Sequence, residues 1–210
     1  MKLADARALA EEALALLSPA CERIQIAGSV RRCKPEVKDV ELVAIPRLMV
    51  ADHMFGGEAS RVSLLDALIG ELVQRKWLAW NTESPGNGPK YKRLVACPSV
   101  NMLPPAAKVD LFIADRDNFG NQLTIRTGDR EFTNLLVTAR EIGGLMPDGL
   151  RQTDGYLHVW DRRASFDPDY KGGAIIPCPD EAAYFAALGI RTVPEPESRT
   201  RDLISRLRRG

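Results

Sequence analysis

Asp39 and Glu41 stand as acid–apolar–acid in the run KDVELVAI (38–45), and Asp110 is the single acid of KVDLFIA (108–114). Side chains alternate along an extended strand, so Asp39, Glu41 and Val43 point one way and Val40, Leu42 and Ala44 the other. Two carboxylates side by side on an apolar strand repel each other and lose hydration. A divalent cation reverses the sign of that interaction, and Mg²⁺ accepts carboxylate oxygens together with phosphate oxygens. A third carboxylate is what a two-metal site needs. One ion would bind a triphosphate, the other would lower the pKa of an attacking 3′-hydroxyl, and Asp110 could accept the proton. Each acid alone also reads as a half-exposed strand position facing water.

Gly28-Ser29 follows a short apolar strand and opens a turn or helix. A glycine there lets backbone approach a ligand, and helix-start N–H groups with the Ser29 hydroxyl favour phosphate. Arg31 and Arg32 add guanidinium groups suited to phosphate oxygens. Nine residues separate Ser29 from Asp39, the length a short helix needs to return to a neighbouring strand.

The elements that must hold these residues follow from periodicity. Leu3, Ala10, Ala13 and Leu17 share one face of a helix over about 3–18. Arg23 to Ala27 reads as a strand, residues 38–45 as another, and 60–76 as a helix with Leu64, Leu65, Leu68, Ile69, Leu72 and Val73 inward. A Gly/Pro/Asn loop (83–89) leads to a strand at Tyr91 to Ala96, and a loop with Pro104-Pro105 leads to the strand at 108–114. Thr127-Gly128 precedes a helix running to about Ile142, and Asp148-Gly149 and Asp154-Gly155 mark a hairpin. Asp180 caps a short helix that ends near Gly189. The expected border divides 1–120 from 121–210.

The chain has 210 residues, 29 basic and 28 acidic, for a net charge of +1. Net charge therefore neither favours nor excludes a nucleic-acid partner. The four cysteines form no CxxC pair and have no histidine at zinc-ligand spacing, so they read as reduced thiols. Asp5, Arg7, Glu11 and Glu12 interrupt any signal-peptide core, and no apolar run reaches membrane-span length. The expectation is a soluble, intracellular, monomeric protein. His53 and His158 lack a nucleophile partner and read as surface residues; Trp77, Trp80 and Trp160 read as packing anchors. Lys90, Lys92, Arg93 and Lys108 form an expected basic rim. The tail with Arg199, Arg201, Arg206, Arg208 and Arg209 reads equally as phosphate-tracking or as a solvated helix end.

The run GSVRRCKPEVKDVELVAIP (28–46) resembles the signature of polymerase beta-type nucleotidyltransferases, and Arg31-Arg32 with Lys34 is more particularly similar to family X DNA polymerases. KVDLFIA resembles the strand bearing that family's third acid, TGDREF (127–132) its palm-to-thumb junction, and IPCPDEAAYFAALGIRTVPEPESR (176–199) its C-terminal ending. The likeness implies an α+β protein: a palm with a small mixed sheet flanked by helices, then a small α+β thumb-like domain.

It further implies that Asp39, Glu41 and Asp110 hold two Mg²⁺, with Mn²⁺ as a substitute. Ser29 and Arg32 would contact the β- and γ-phosphates, with Gly28 permitting approach and Lys38 beside them. Lys108 would lie near the primer end, with Lys90 and Arg93 along the DNA. Thr127 and Gly128 would flank the incoming sugar and base, and Arg130 and Asn134 would face the nascent pair. Five positions depart from the family pattern: Glu41 in place of the usual Asp, Lys38 in place of a small residue, Ile125-Arg126 in place of an aromatic pair that helps exclude ribose, and Asp129 in place of Ser. Only 27 residues precede Gly28, so the expectation is a minimal form without the lyase and helix-hairpin-helix modules, gripping DNA weakly. The leading expectation is a DNA-directed polymerase using dNTPs on short gaps or primer ends. The alternatives are transfer without a template or to RNA, protein or a small molecule, and a non-catalytic DNA-binding domain.

Overall fold

The computed structural model describes residues 1–51, 60–83, 86–97, 107–167 and 169–208. His53, Pro104-Pro105, Arg209 and residues 84–85 of the loop at 83–89 lie outside them. Two compact units emerge, Met1–Ile26 with Pro35–Ala114, and Ala27–Lys34 with Asp115–Gly210. The chain passes between the units after Ile26, Lys34 and Ala114.

In the first unit, α1 (Leu3–Leu17) precedes β1 (Cys21–Ile26). After residues 27–34 of the second unit, including the single turn α2 (Gly28–Arg31), come β2 (Val40–Pro46), β3 (Leu48–Ala51), β4 (Ser60–Ser63), α3 (Leu64–Gln74), β5 (Leu78–Trp80), β6 (Tyr91–Ala96) and β7 (Lys108–Ile113). The central sheet runs β1-β2-β7-β6-β5, with β2 and β7 parallel and the other pairs antiparallel. The first unit is therefore mixed α+β with a mixed sheet. Val40, Leu42, Val109, Leu111 and Leu94 are buried on one face. α1 packs on β1 and β2 and also touches α3, which packs on β5. Lys92, on the same face by alternation, reaches α3, where its Nζ pairs with Asp66 at 2.5 Å. The helices thus cover the apolar face, and Lys92 is a buried partner of Asp66 and not part of a basic rim.

Helix 60–76 begins later than periodicity suggests. Residues 60–63 pair with Leu48–Ala51 in a short hairpin-like ribbon, and Ser63 caps α3 by accepting from the Asp66 amide at 3.1 Å. The apolar residues of 48–51 offered no clean alternation, which hid that ribbon.

The second unit contains α2, α4 (Phe119–Thr127), α5 (Arg130–Val137), β8 (Leu150–Thr153), β9 (Tyr156–Val159), β10 (Ile175–Ile176), α6 (Glu181–Ala187) and α7 (Arg201–Leu207). Phe132, Leu136, Leu157, Tyr184, Phe185 and Leu188 belong to its core. The helix expected to reach Ile142 ends at Val137, and α4 before it was missed. α4 is polar by composition, yet Asn121, Thr124 and Thr127 are buried; its helical character comes from packing against α6, which overrides propensity. The hairpin turns on Asp154-Gly155, both at positive φ, as a two-residue primed turn requires. Asp180 caps α6 by accepting from the Ala183 amide at 2.8 Å.

Gly120 sits where α4 meets the segment before α6. A Cβ there would lie 1.9 Å from the Asp180 carbonyl oxygen and 2.8 Å from that of Cys178. Backbone cannot yield as a side chain can, so Gly120→Ala should lower stability by about 2–3 kcal/mol, read as a fall in urea midpoint with an unchanged slope.

Among the described residues no helix is long and apolar enough to cross a membrane.

Candidate active site

The face of the central sheet opposite α1 and α3 carries the acids. Glu41 on β2 is the register partner of Asp110 on β7, and Asp110 is the partner of Arg93 on β6. Directly opposed residues share a face, so Glu41, Asp110 and Arg93 form one row across three strands. Asp39 lies one residue before β2. Burial raises the Asp39 pKa first, and the Asp110 carboxylate raises it further, while Arg93 opposes both. Asp39→Asn should remove this repulsion and raise the thermal midpoint of the metal-free protein by roughly 1–2 °C, a small gain because water screens a half-buried group. A lower midpoint in calorimetry would refute the electrostatic account.

Asp110 is 6% exposed. Arg93 donates from Nε to Asp110 Oδ1 at 3.1 Å and from its Nη2 to Oδ2 at 3.4 Å. The same Nε meets the Tyr91 hydroxyl at 2.6 Å. Burial and a hydrogen bond to Asp110 push the Tyr91 pKa to about 12, so the phenol stays protonated. Tyr91 stacks on Phe112, ring centroids 4.9 Å apart, beside the row. Arg93, expected along DNA, is thus a partner of Asp110. Tyr91 was missed: alternation in YKRLVA sets it beside Arg93, but the register that brings both to Asp110 comes only from pairing. Lys108 pairs with Glu83 at 2.9 Å on the exposed surface; Lys90 and Lys38 are exposed.

Three carboxylates make an oxygen-only donor set, which suits a hard ion such as Mg²⁺; burial first and the Asp110 charge second raise the Asp39 pKa, and a bound cation would oppose both. By donor type, though not by their present spacing, these residues suit divalent ions. Among the described residues, no three Asp, Glu, His or Cys side chains stand close enough together to hold one, and Asp110 is engaged by Arg93.

In the second unit, Gly28 has φ +64°, a conformation that favours glycine. The helix it opens is a single turn of four residues, too short to give Ser29 much help from a macrodipole. Arg31, read as phosphate-facing charge, instead grips Glu181, with Nη1–Oε1 at 2.9 Å and Nη2–Oε2 at 2.6 Å. Arg199 grips the same carboxylate from the other side and also donates to the Pro194 carbonyl. Arg199 is fully buried, so it is neither a phosphate-tracking nor a solvated residue. Arg31 Nη1 also reaches Thr127 Oγ1 at 2.9 Å, and Arg32 Nη1 donates to the Thr127 and Gly128 carbonyls. The two arginines thereby fix the Thr127-Gly128 segment between α4 and α5. Arg130 and Asn134 are exposed on α5.

The sequence matches no protein-family model, and no curated protein matches it.

Proposed function

We propose that the chain is a divalent-metal-dependent nucleotidyltransferase that adds dNTP-derived nucleotides to a DNA 3′ end, in the manner of a minimal family X polymerase. The observation that carries this reading is the row Glu41–Asp110 at the parallel pair of a mixed sheet, with Asp39 one residue before it, on the face away from the helices. Bound Mg²⁺ would supply charge neutralisation for the triphosphate and a more acidic 3′-hydroxyl. Asp39, Glu41 and Asp110 would hold the ions, and Asp110 would take the hydroxyl proton. Ser29, Arg32, Lys38, Thr127, Gly128, Arg130 and Asn134 are the proposed nucleotide contacts, and Lys90 and Lys108 the proposed DNA contacts. The proposed palm spans 1–120 and the proposed thumb 121–210; a thumb-like half favours a nucleic-acid acceptor over a small molecule. A cytoplasmic, monomeric protein is part of the same proposal.

The test is a labelled primer–template incubated with Mg²⁺ or Mn²⁺ and each dNTP or NTP singly. Extension by the complementary dNTP alone supports templated synthesis. Addition regardless of template points to the terminal-transfer alternative, and no product with either metal refutes the proposal.

A further inference from the structure

We propose that Arg93 is an exchangeable counter-ion for Asp110: it neutralises the buried carboxylate in the metal-free protein and moves aside when a divalent ion takes those oxygens. This rests on the nucleotidyltransferase reading above. The carboxylate of Asp110 is 8% exposed as a side chain, and an ionised acid at that depth needs a partner. Arg93 provides one from the adjacent strand, with a guanidinium fork on both oxygens. Both contacts, at 3.1 and 3.4 Å, are longer than the 2.7–2.9 Å or so of a tight charge-assisted bond. The arginine side chain is 28% exposed, so its head can pass into water. Tyr91, itself hydrogen-bonded to Asp110, meets the Arg93 Nε at 2.6 Å and gives the arginine a second contact in the same cluster. A doubly charged ion outcompetes a single positive charge for the carboxylate, and the guanidinium would then repel the ion if it stayed. Arg93 is a positioning residue in this scheme: it holds the Asp110 carboxylate aimed before metal arrives.

The experiment uses the full chain without nucleotide. Mg²⁺ is titrated while the side-chain Nε–H resonance of Arg93, identified by its loss in Arg93→Lys, is followed by NMR. The Arg47 Nε–H, bonded to the Cys21 carbonyl at 2.9 Å, serves as an internal control. Mn²⁺ affinity of the wild type, Arg93→Lys and Arg93→Ala is measured in parallel by electron paramagnetic resonance. The Arg93 signal is expected to shift with the midpoint of ion binding while Arg47 stays still. Arg93→Ala should bind Mn²⁺ about tenfold more tightly, one step of about 1.4 kcal/mol, because no guanidinium competes for the carboxylate oxygens, with Arg93→Lys in between. Ion binding with an unmoved Arg93 signal overturns the exchange and leaves the transferase reading intact. Failure of all three proteins to bind any ion overturns both.

Discussion

Arg199→Ala is expected to destabilise the second unit by about 3–5 kcal/mol, because it leaves half of a buried ion triad without its partner. Glu181 takes a fork from Arg31 and another from Arg199, and Thr124 adds its hydroxyl at 3.3 Å. The Arg199 guanidinium also lies 5.3 Å from the centre of the Phe185 ring, so truncation opens the core as well. Glu181→Gln should cost a comparable amount, since two arginines would then face a neutral amide. Burial pushes the Glu181 pKa up, but the bonds from Arg31 and Arg199 outweigh it and leave it below its ordinary value of 4.5. The triad's stabilisation is therefore whole above about pH 4.5 and is lost as pH falls through the lower folded-state value. Urea midpoints of wild type and Glu181→Gln should differ widely at pH 7 and converge on acidification. A gap that stays constant with pH would show that the ionised carboxylate contributes nothing.

Asp110→Asn is expected to lower nucleotide transfer by roughly 10³-fold or more with either metal, equivalent to at least about 4 kcal/mol of barrier. The amide keeps the size of the carboxylate but not its charge, so it could neither help hold the proposed ions nor take up the hydroxyl proton. The fold should survive, because the amide oxygen still accepts from Arg93. Circular dichroism and single-turnover extension on the same sample separate the two effects. Transfer within tenfold of wild type in a folded variant would remove Asp110 from the chemistry.

The strands bearing the acids were legible because their signal is local: alternation placed Asp39 with Glu41 and isolated Asp110 among apolar neighbours. The hairpin at Asp154-Gly155 and the cap at Asp180 were legible for the same reason, each resting on residues within a few positions of one another. What escaped was pairing over distance. Arg93 meets Asp110 across 17 residues and Arg31 meets Glu181 across 150, and no periodicity encodes such partners. Arg31 and Arg93, read as facing phosphate or DNA, proved to be the internal counter-ions of Glu181 and Asp110. α4 was missed because its buried positions are Asn121, Thr124 and Thr127, which break the apolar stripe that marks a helix.

The most direct test is anomalous diffraction from crystals grown with Mn²⁺ and a non-hydrolysable dNTP. The account predicts Mn²⁺ density about 2.1 Å from carboxylate oxygens of Asp39, Glu41 and Asp110, with Arg93 withdrawn from Asp110. Density elsewhere, or none with nucleotide bound, would contradict it.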